Sequence, residues 1–210
     1  MKAQNLSIEG LKLITLDRYE DQRGCFFESY HEDKFNQVVG ASVKFVQDNV
    51  SFSGFDVLRG LHYQLAPKSQ GKFVQVLNGK VLDVAVDLRP ESKTFLKWEA
   101  VELSDRNGKA FYIPPGFAHG FRVLSIEATF MYKVTEYYAP ELDRSVNWAD
   151  PDFEIDWGKG YPNLSDKDYD APSFEECKED ILSTHYLAKN QKNVSYLALL
   201  YYNKICLLSR

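Results

Sequence analysis

Through the first two-thirds of the chain, apolar and polar residues alternate with a period of two, in short runs closed by Gly, Pro, Asn, Asp and Ser. That period is the mark of strands with one buried face. It predicts strands over residues 11–16, 25–30, 44–51, 72–77, 80–88, 97–103, 110–113, 120–123 and 128–135. The runs 72–77 and 80–88 flank Asn78-Gly79, the preferred pair for a two-residue hairpin turn, because both central residues of that turn need positive φ. Residues 32–39 are the strongest helical segment, starting at His31 or Glu32. Many short strands at short intervals read as an all-β sandwich or barrel. No internal repeat or Gly/Ser linker interrupts them. From about residue 150 the texture turns to loops, with a short helix expected over 173–180, where Ser173 and Glu176 have the spacing of a capping box.

Composition narrows the class. With 210 residues, 44 % hydrophobic and 14 % aromatic, the chain has enough apolar surface for a sizeable core in one ordered domain. The formal charge of −5 argues against a general nucleic-acid binder. That charge is uneven. Residues 181–210 hold Lys189, Lys192, Lys204 and Arg210 and no acid, so residues 1–180 carry −9. The expected division is therefore a domain over 1–180 and a basic, apolar extension over 181–210, read as a loose or weakly helical appendage. Cys25, Cys177 and Cys206 are too few and too scattered for a disulfide framework. The start, MKAQNLSIEG, lacks the apolar run of a signal peptide, and no segment reaches the ~20 apolar residues of a membrane span. A cytoplasmic protein without membrane contact is expected.

The most informative stretch is 108–121, GKAFYIPPGFAHGF. Gly108, Pro114, Gly116 and His119 fall at the spacing G-x5-P-x-G-x2-H, the second signature of cupin barrels. In such a barrel the turn aims the histidine into the cavity. The first signature should bring two histidines and a glutamate for a metal. The matching region, 62–79, has one histidine, His62, and Lys72 stands seven residues before Gly79, where the glutamate would be. An ammonium is a poor ligand, because metal ligands must be deprotonated. The expectation is an all-β, cupin-type jelly roll with a few short helices, no metal and no cofactor.

Arg59, His62, Lys72, His119 and Tyr132 all lie on or beside predicted barrel strands. Strand alternation can direct them into one cavity. Such a pocket would be cationic, suited to an anion or to a substrate that becomes anionic in the transition state. Taken alone, Arg23 to Glu28, Gln47 to Asn49 and the Asp166-Lys167-Asp168 cluster read as ordinary surface sequence.

The strings RGCFFES, FVQDNVS, VLRGLHYQ, KFVQVLNGKVLDVAVDLR, IPPGFAHGF, YKVTEYYAPELDRSVNWADP and LSDKD change that reading. In this order, over about residues 8–170, they resemble the dTDP-4-dehydrorhamnose 3,5-epimerase family. The resemblance implies a metal-free cupin jelly roll. The typical member is a homodimer in which an N-terminal strand helps close the neighbour's site. The implied substrate is a dTDP-4-dehydro-6-deoxyhexose, dTDP-4-dehydro-6-deoxy-D-glucose, converted to dTDP-4-dehydro-L-rhamnose by inversion of carbons 3 and 5. It also implies roles: His62 as the base, Asp168 as its partner, Tyr132 as proton donor from the other face. Lys72, with Arg59 and His119, suits the enolate oxygen. Arg23 and Arg59 suit the diphosphate, and Glu28, Gln47, Asn49, Asp143 and Lys167 complete the substrate site. The alternatives are a mono-epimerase on a related nucleotide sugar, a metal-dependent cupin oxygenase or isomerase, and a non-catalytic sugar-nucleotide binder.

Overall fold

The structure, a computed structural model, describes residues 1–190. Two antiparallel sheets face each other. The larger runs β1(Lys2–Asn5), β2(Lys12–Thr15), β10(Lys109–Ile113), β7(Lys72–Asn78), β12(Glu127–Val134), β5(Gln47–Gly54) in spatial order. The smaller runs β13(Asp143–Ser145), β6(Leu58–Gln64), β11(Phe117–Val123), β8(Lys80–Asp87), β9(Trp98–Ser104). A separate hairpin joins β3(Arg18–Asp21) to β4(Gly24–Phe27). The predicted helix is α1, Glu32–Val39. It ends at Gly40, whose φ of 75° provides the left-handed cap.

Three apolar layers follow from strand alternation. Between the sheets, Val74, Val76, Phe111, Ile113 and Phe130 of the larger meet Val81, Ala85, Leu103, Phe117 and Phe121 of the smaller. The opposite side of the smaller sheet carries Leu58, Leu61, Tyr63, Val84 and Val86, covered by Leu142, Val146, Phe153, Trp157, Phe174 and Ile181 from the loop-rich C-terminal segment. The outer side of the larger sheet packs Phe73 and Tyr112 against α1 through Phe35. Phe35 is fully buried, with its ring 4.9 Å from that of Phe73 and 5.3 Å from that of Tyr112. Burying each such side chain is worth about 1.5–3 kcal/mol.

The expected hairpin over 72–88 does not form. β7 pairs with β10 and β12, whereas β8 pairs with β11 and β9, so Asn78-Gly79 is a corner between the sheets. Gly79 has φ 82°, and Asn78 is not among the residues of positive φ. A side chain at 79 would run into the Glu127 carbonyl, so glycine serves the close approach of the 125–128 turn. β5 is displaced three residues from the expected 44–51, β4 is shorter than 25–30, and β1, β3, β6 and β13 went unpredicted. β6 hid because its sequence, LRGLHYQ, alternates poorly.

At the C-terminal side, the capping box is present: the Ser173 N–H and hydroxyl both donate to Glu176 Oε2, at 2.8 and 2.7 Å. The helix it starts, α3, spans Phe174–Asn190 and passes through the boundary expected at residue 180, because Ile181 is buried in the outer layer of the smaller sheet. Residues 191–210 of the basic, apolar segment lie outside the described residues. Among the described residues no helix is long and apolar enough to cross a membrane.

Candidate active site

A cavity of about 320 Å³ opens at one end of the barrel. Its walls include Arg59, His62, Lys72, His119, Phe121, Phe130, Tyr132, Tyr138, Asp143 and Lys167. Alternation explains most of these. Lys72 shares a face of β7 with Val74 and Val76, Tyr132 shares one of β12 with Phe130, and His119 shares one of β11 with Phe117 and Phe121.

β6 needs a further device. Arg59 and His62 are three apart, so a regular strand would point them to opposite sides. The pairing with β11 sets His119 opposite His62 but Phe121 opposite Arg59, so the single residue Gly120 of β11 faces two of β6, Gly60 and Leu61. This bulge puts both side chains into the cavity. It needs bare backbone: a Cβ on Gly60 would lie 2.5 Å from Gly120 Cα.

His62 Nε2 lies 2.5 Å from Asp168 Oδ1. Asp168 comes from α2(Asp166–Tyr169), whose N-cap, Ser165, accepts from the Asp168 N–H and donates its hydroxyl to Asp168 Oδ2 at 2.8 Å. Burial alone would raise this carboxyl, but hydrogen bonds from His62, Ser165 and the Gly60 N–H outweigh it and hold Asp168 below the usual carboxylate range. The charged cluster 166–168, unremarkable in sequence, thus supplies a buried carboxylate to the base.

Lys72 is buried and donates from Nζ to the His62 carbonyl at 3.2 Å. Burial pushes its amine down to about 8, against the opposing pull of Asp83 and Asp143. Burial raises the Tyr132 phenol, with Arg59 pulling the other way, so the phenol keeps its proton at neutral pH. His119 is held neutral by burial and bonds Asp83 through Nε2. Lys167 Nζ is 2.6 Å from Asp143 Oδ2, and Tyr138 offers its hydroxyl to the same oxygen at 3.3 Å.

Of the expected residues, His62, Tyr132, Asp168, Lys72, Arg59, His119, Asp143 and Lys167 come together here. Gln47 and Asn49 sit just outside, on β5 at the cavity's edge, bonded to each other at 2.9 Å, and Asn49 lies opposite Tyr132. Arg23 and Glu28 are not in this chain's cavity. Arg23, on the β3–β4 hairpin, pairs with Asp21 at 2.6 Å, and Glu28 pairs with Lys34 at 2.8 Å. Sequence reasoning missed Asp83 and Tyr138. Asp83 had a signal, an acid flanked by apolar residues in the middle of VLDVAVDL, on the same phase as Asp87 at the strand's end; Tyr138 had none beyond its place in a Tyr-Tyr pair.

A cationic cavity with an oriented imidazole on one wall and a protonated phenol on another can abstract a proton, stabilise the resulting anion and return the proton elsewhere. Comparison with known proteins agrees. The family model for dTDP-4-dehydrorhamnose 3,5-epimerase matches residues 5–176. The dTDP-4-dehydrorhamnose 3,5-epimerase of Pseudomonas aeruginosa is 48 % identical over 84 % of this chain and 98 % of its own, and that of Shigella flexneri 49 % over 76 % and 88 %. The crystal structure of dTDP-6-deoxy-D-glucose-3,5-epimerase from Legionella pneumophila, in complex with dTDP-4-keto-L-rhamnose, superposes with a TM-score of 0.82 at 46 % identity, covering 86 % of this chain and 96 % of that one. Two facing antiparallel sheets, a cavity rich in Arg, Lys and His, and these likenesses lead to one conclusion: the chain belongs to the dTDP-4-dehydrorhamnose 3,5-epimerase family.

Proposed function

We propose that this epimerase uses His62 as its base, Asp168 to orient it, Tyr132 as the acid on the opposite face and Lys72 as the charge that meets the ketone oxygen. The reaction is that of its family: inversion of carbons 3 and 5 of dTDP-4-dehydro-6-deoxy-D-glucose to give dTDP-4-dehydro-L-rhamnose. Both carbons neighbour the ketone, so losing a proton from either leaves an enolate whose charge sits on the carbon-4 oxygen. A fixed ammonium in a dry cavity stabilises that charge strongly. Asp168 sets the tautomer of His62 and stabilises the imidazolium as it forms. Return of a proton from Tyr132 on the far face inverts the carbon.

The observation that carries this reading is the 2.5 Å contact between His62 and Asp168 at the wall of a cavity that also holds Lys72 and Tyr132. Arg59, which donates to Ser53 Oγ at 3.1 Å, and Lys167 stand ready for the diphosphate. Tyr138, at the cavity mouth, offers an exposed ring on which a base can stack.

The same reading has the site completed by a second copy of the chain. Val50 and Phe52 of the edge strand β5 expose 51 % and 75 % of their surface, and Phe26 of the β3–β4 hairpin 73 %, apolar surface of the kind that marks an interface. The β3–β4 hairpin carries Arg23 and Glu28 out of their own cavity and, in a homodimer, into the partner's. A cytoplasmic setting accords with the free thiols of Cys25 and Cys177.

Proton NMR of dTDP-4-dehydro-6-deoxyglucose in D2O tests the chemistry. Deuterium enters at carbons 3 and 5 with the enzyme and at neither with His62→Ala. Exchange that survives in the variant would remove His62 from the role of base.

A further inference from the structure

The scheme above leaves unused one buried acid behind the cavity wall, in contact with His119. Asp83 sits in the middle of β8, fully buried, with both oxygens 3.0 Å from His119 Nε2. It occupies the barrel-facing phase of that strand, between Val81 and Ala85 of the core. A carboxylate there displaces apolar packing and carries a large desolvation cost unless neighbouring groups compensate it. Burial raises the Asp83 carboxyl above its usual range, and His119 from β11 and Lys72 from β7 oppose that rise.

We propose that Asp83 is a positioning residue for the epimerisation: its carboxylate fixes His119 through Nε2 and supplies the negative charge that keeps Lys72 an ammonium at the ketone oxygen. The inference rests on Lys72 serving that oxygen.

Around the lysine, the charged and titratable groups are Asp83 on β8, Asp143 on β13, Lys167 on α2, Arg59 and His62 on β6, His119 on β11, Tyr132 on β12 and Tyr138. Burial drives the Lys72 amine down to about 8 and Lys167 adds to the fall, while Asp83 is the larger of the two carboxylate effects that oppose it. Without Asp83, Asp143 stands alone against burial, and Asp143 is already shared with Lys167. On the other side of Asp83, burial keeps His119 neutral. Its Nε2–H donates to the carboxylate, leaving bare Nδ1 as the ring atom for substrate. A bare nitrogen accepts from a sugar hydroxyl and cannot donate to an enolate, so Asp83 also divides the labour between His119 and Lys72.

Asp83→Asn keeps the size and removes the charge. The test follows kcat/KM for carbon-3 exchange in D2O from about pH 6 to pH 10. The alkaline limb, set by Lys72, is expected to move down by roughly one unit or more, so the variant loses more activity at pH 8 than at pH 6. In a Lys72→Arg background, where the guanidinium stays charged, Asp83→Asn shifts nothing. A uniform loss with an unmoved limb, or the same shift in the Lys72→Arg background, overturns the proposal. Lys72→Met separates the two layers. Full activity in that variant sinks the role of Lys72, whereas a dead variant with an unmoved Asp83→Asn limb sinks only the role of Asp83. Should Asp83→Asn fail to fold, 13C-lysine NMR of the unsubstituted enzyme, assigned with Lys72→Arg, decides: an ammonium at pH 7 supports the proposal and a neutral amine overturns it.

Discussion

His62 and Asp168 stand 106 residues apart in sequence and 2.5 Å apart in space, one on a barrel strand and the other on a four-residue helix of the loop-rich segment. The C-terminal layer is therefore part of the active site as well as a cover for the smaller sheet. Asp168→Asn keeps the shape and loses the charge that steadies the imidazolium. Exchange at both carbons should fall by roughly 10²–10⁴, the usual share of general acid–base catalysis, with KM little changed. Steady-state kinetics on the purified variant measure it.

Tyr132 and His62 approach the cavity from different sheets, so they address opposite faces of a bound sugar. Tyr132→Phe should leave deuterium entering at carbon 3 largely intact while impairing inversion at carbon 5. Position-resolved NMR distinguishes this from equal loss at both carbons, which would remove the assigned role.

The Asp168 carboxyl titrates below its ordinary value of 3.8 in the folded chain, since the hydrogen bonds to it outweigh its burial. A depressed carboxylate contributes stability that is present above the unfolded value and is lost as pH falls through the folded one. The stability gap between the unsubstituted protein and Asp168→Asn should therefore be full at neutral pH and shrink below about pH 4. Urea denaturation at a series of pH values reads the gap directly.

Arg23 lies outside its own chain's cavity, and a homodimer would deliver it in trans. Arg23→Ala and His62→Ala should each be inactive or nearly so. Mixed dimers of the two should recover about half of the activity of one normal dimer, because one of their two sites carries neither substitution. Absence of recovery in verified mixed dimers would return Arg23 to the surface.

Gly60 sets the bulge that turns Arg59 and His62 to the same side. In Gly60→Ala the new methyl would meet Gly120 Cα at 2.5 Å, at a φ of 134° that side chains rarely adopt. The strain should cost about 1–3 kcal/mol and most of the activity, measured by thermal unfolding alongside exchange kinetics.

Much of this was legible in the chain. Period-two alternation located most strands because one face of each packs on a core. The turn 114–119 announced the inward histidine because two prolines and a glycine leave the backbone few options. Lys72 in the place of a ligand was visible by spacing alone. Asp168 was not: an Asp-Lys-Asp cluster looks solvated until α2 is docked under β6. Asp83 was overlooked because an acid within an apolar strand marks a buried charge without showing which residue of another strand it meets.

Sequence by itself determined where most of the strands lie and which face of each is apolar, since those follow from residues two apart on one backbone. It also determined the family, through strings carried in order along most of the chain. Which sheet each strand joins was decided by tertiary structure. Asn78-Gly79 is a good hairpin turn in isolation, yet β7 and β8 part at it because each gains more by pairing elsewhere and closing the barrel core between them. The same holds for the site. The facing of Arg59 depends on a bulge that only pairing with β11 creates, and the titration of Lys72 depends on burial, that of Asp168 on hydrogen bonds from His62, Ser165 and Gly60, neither of which any stretch of sequence contains.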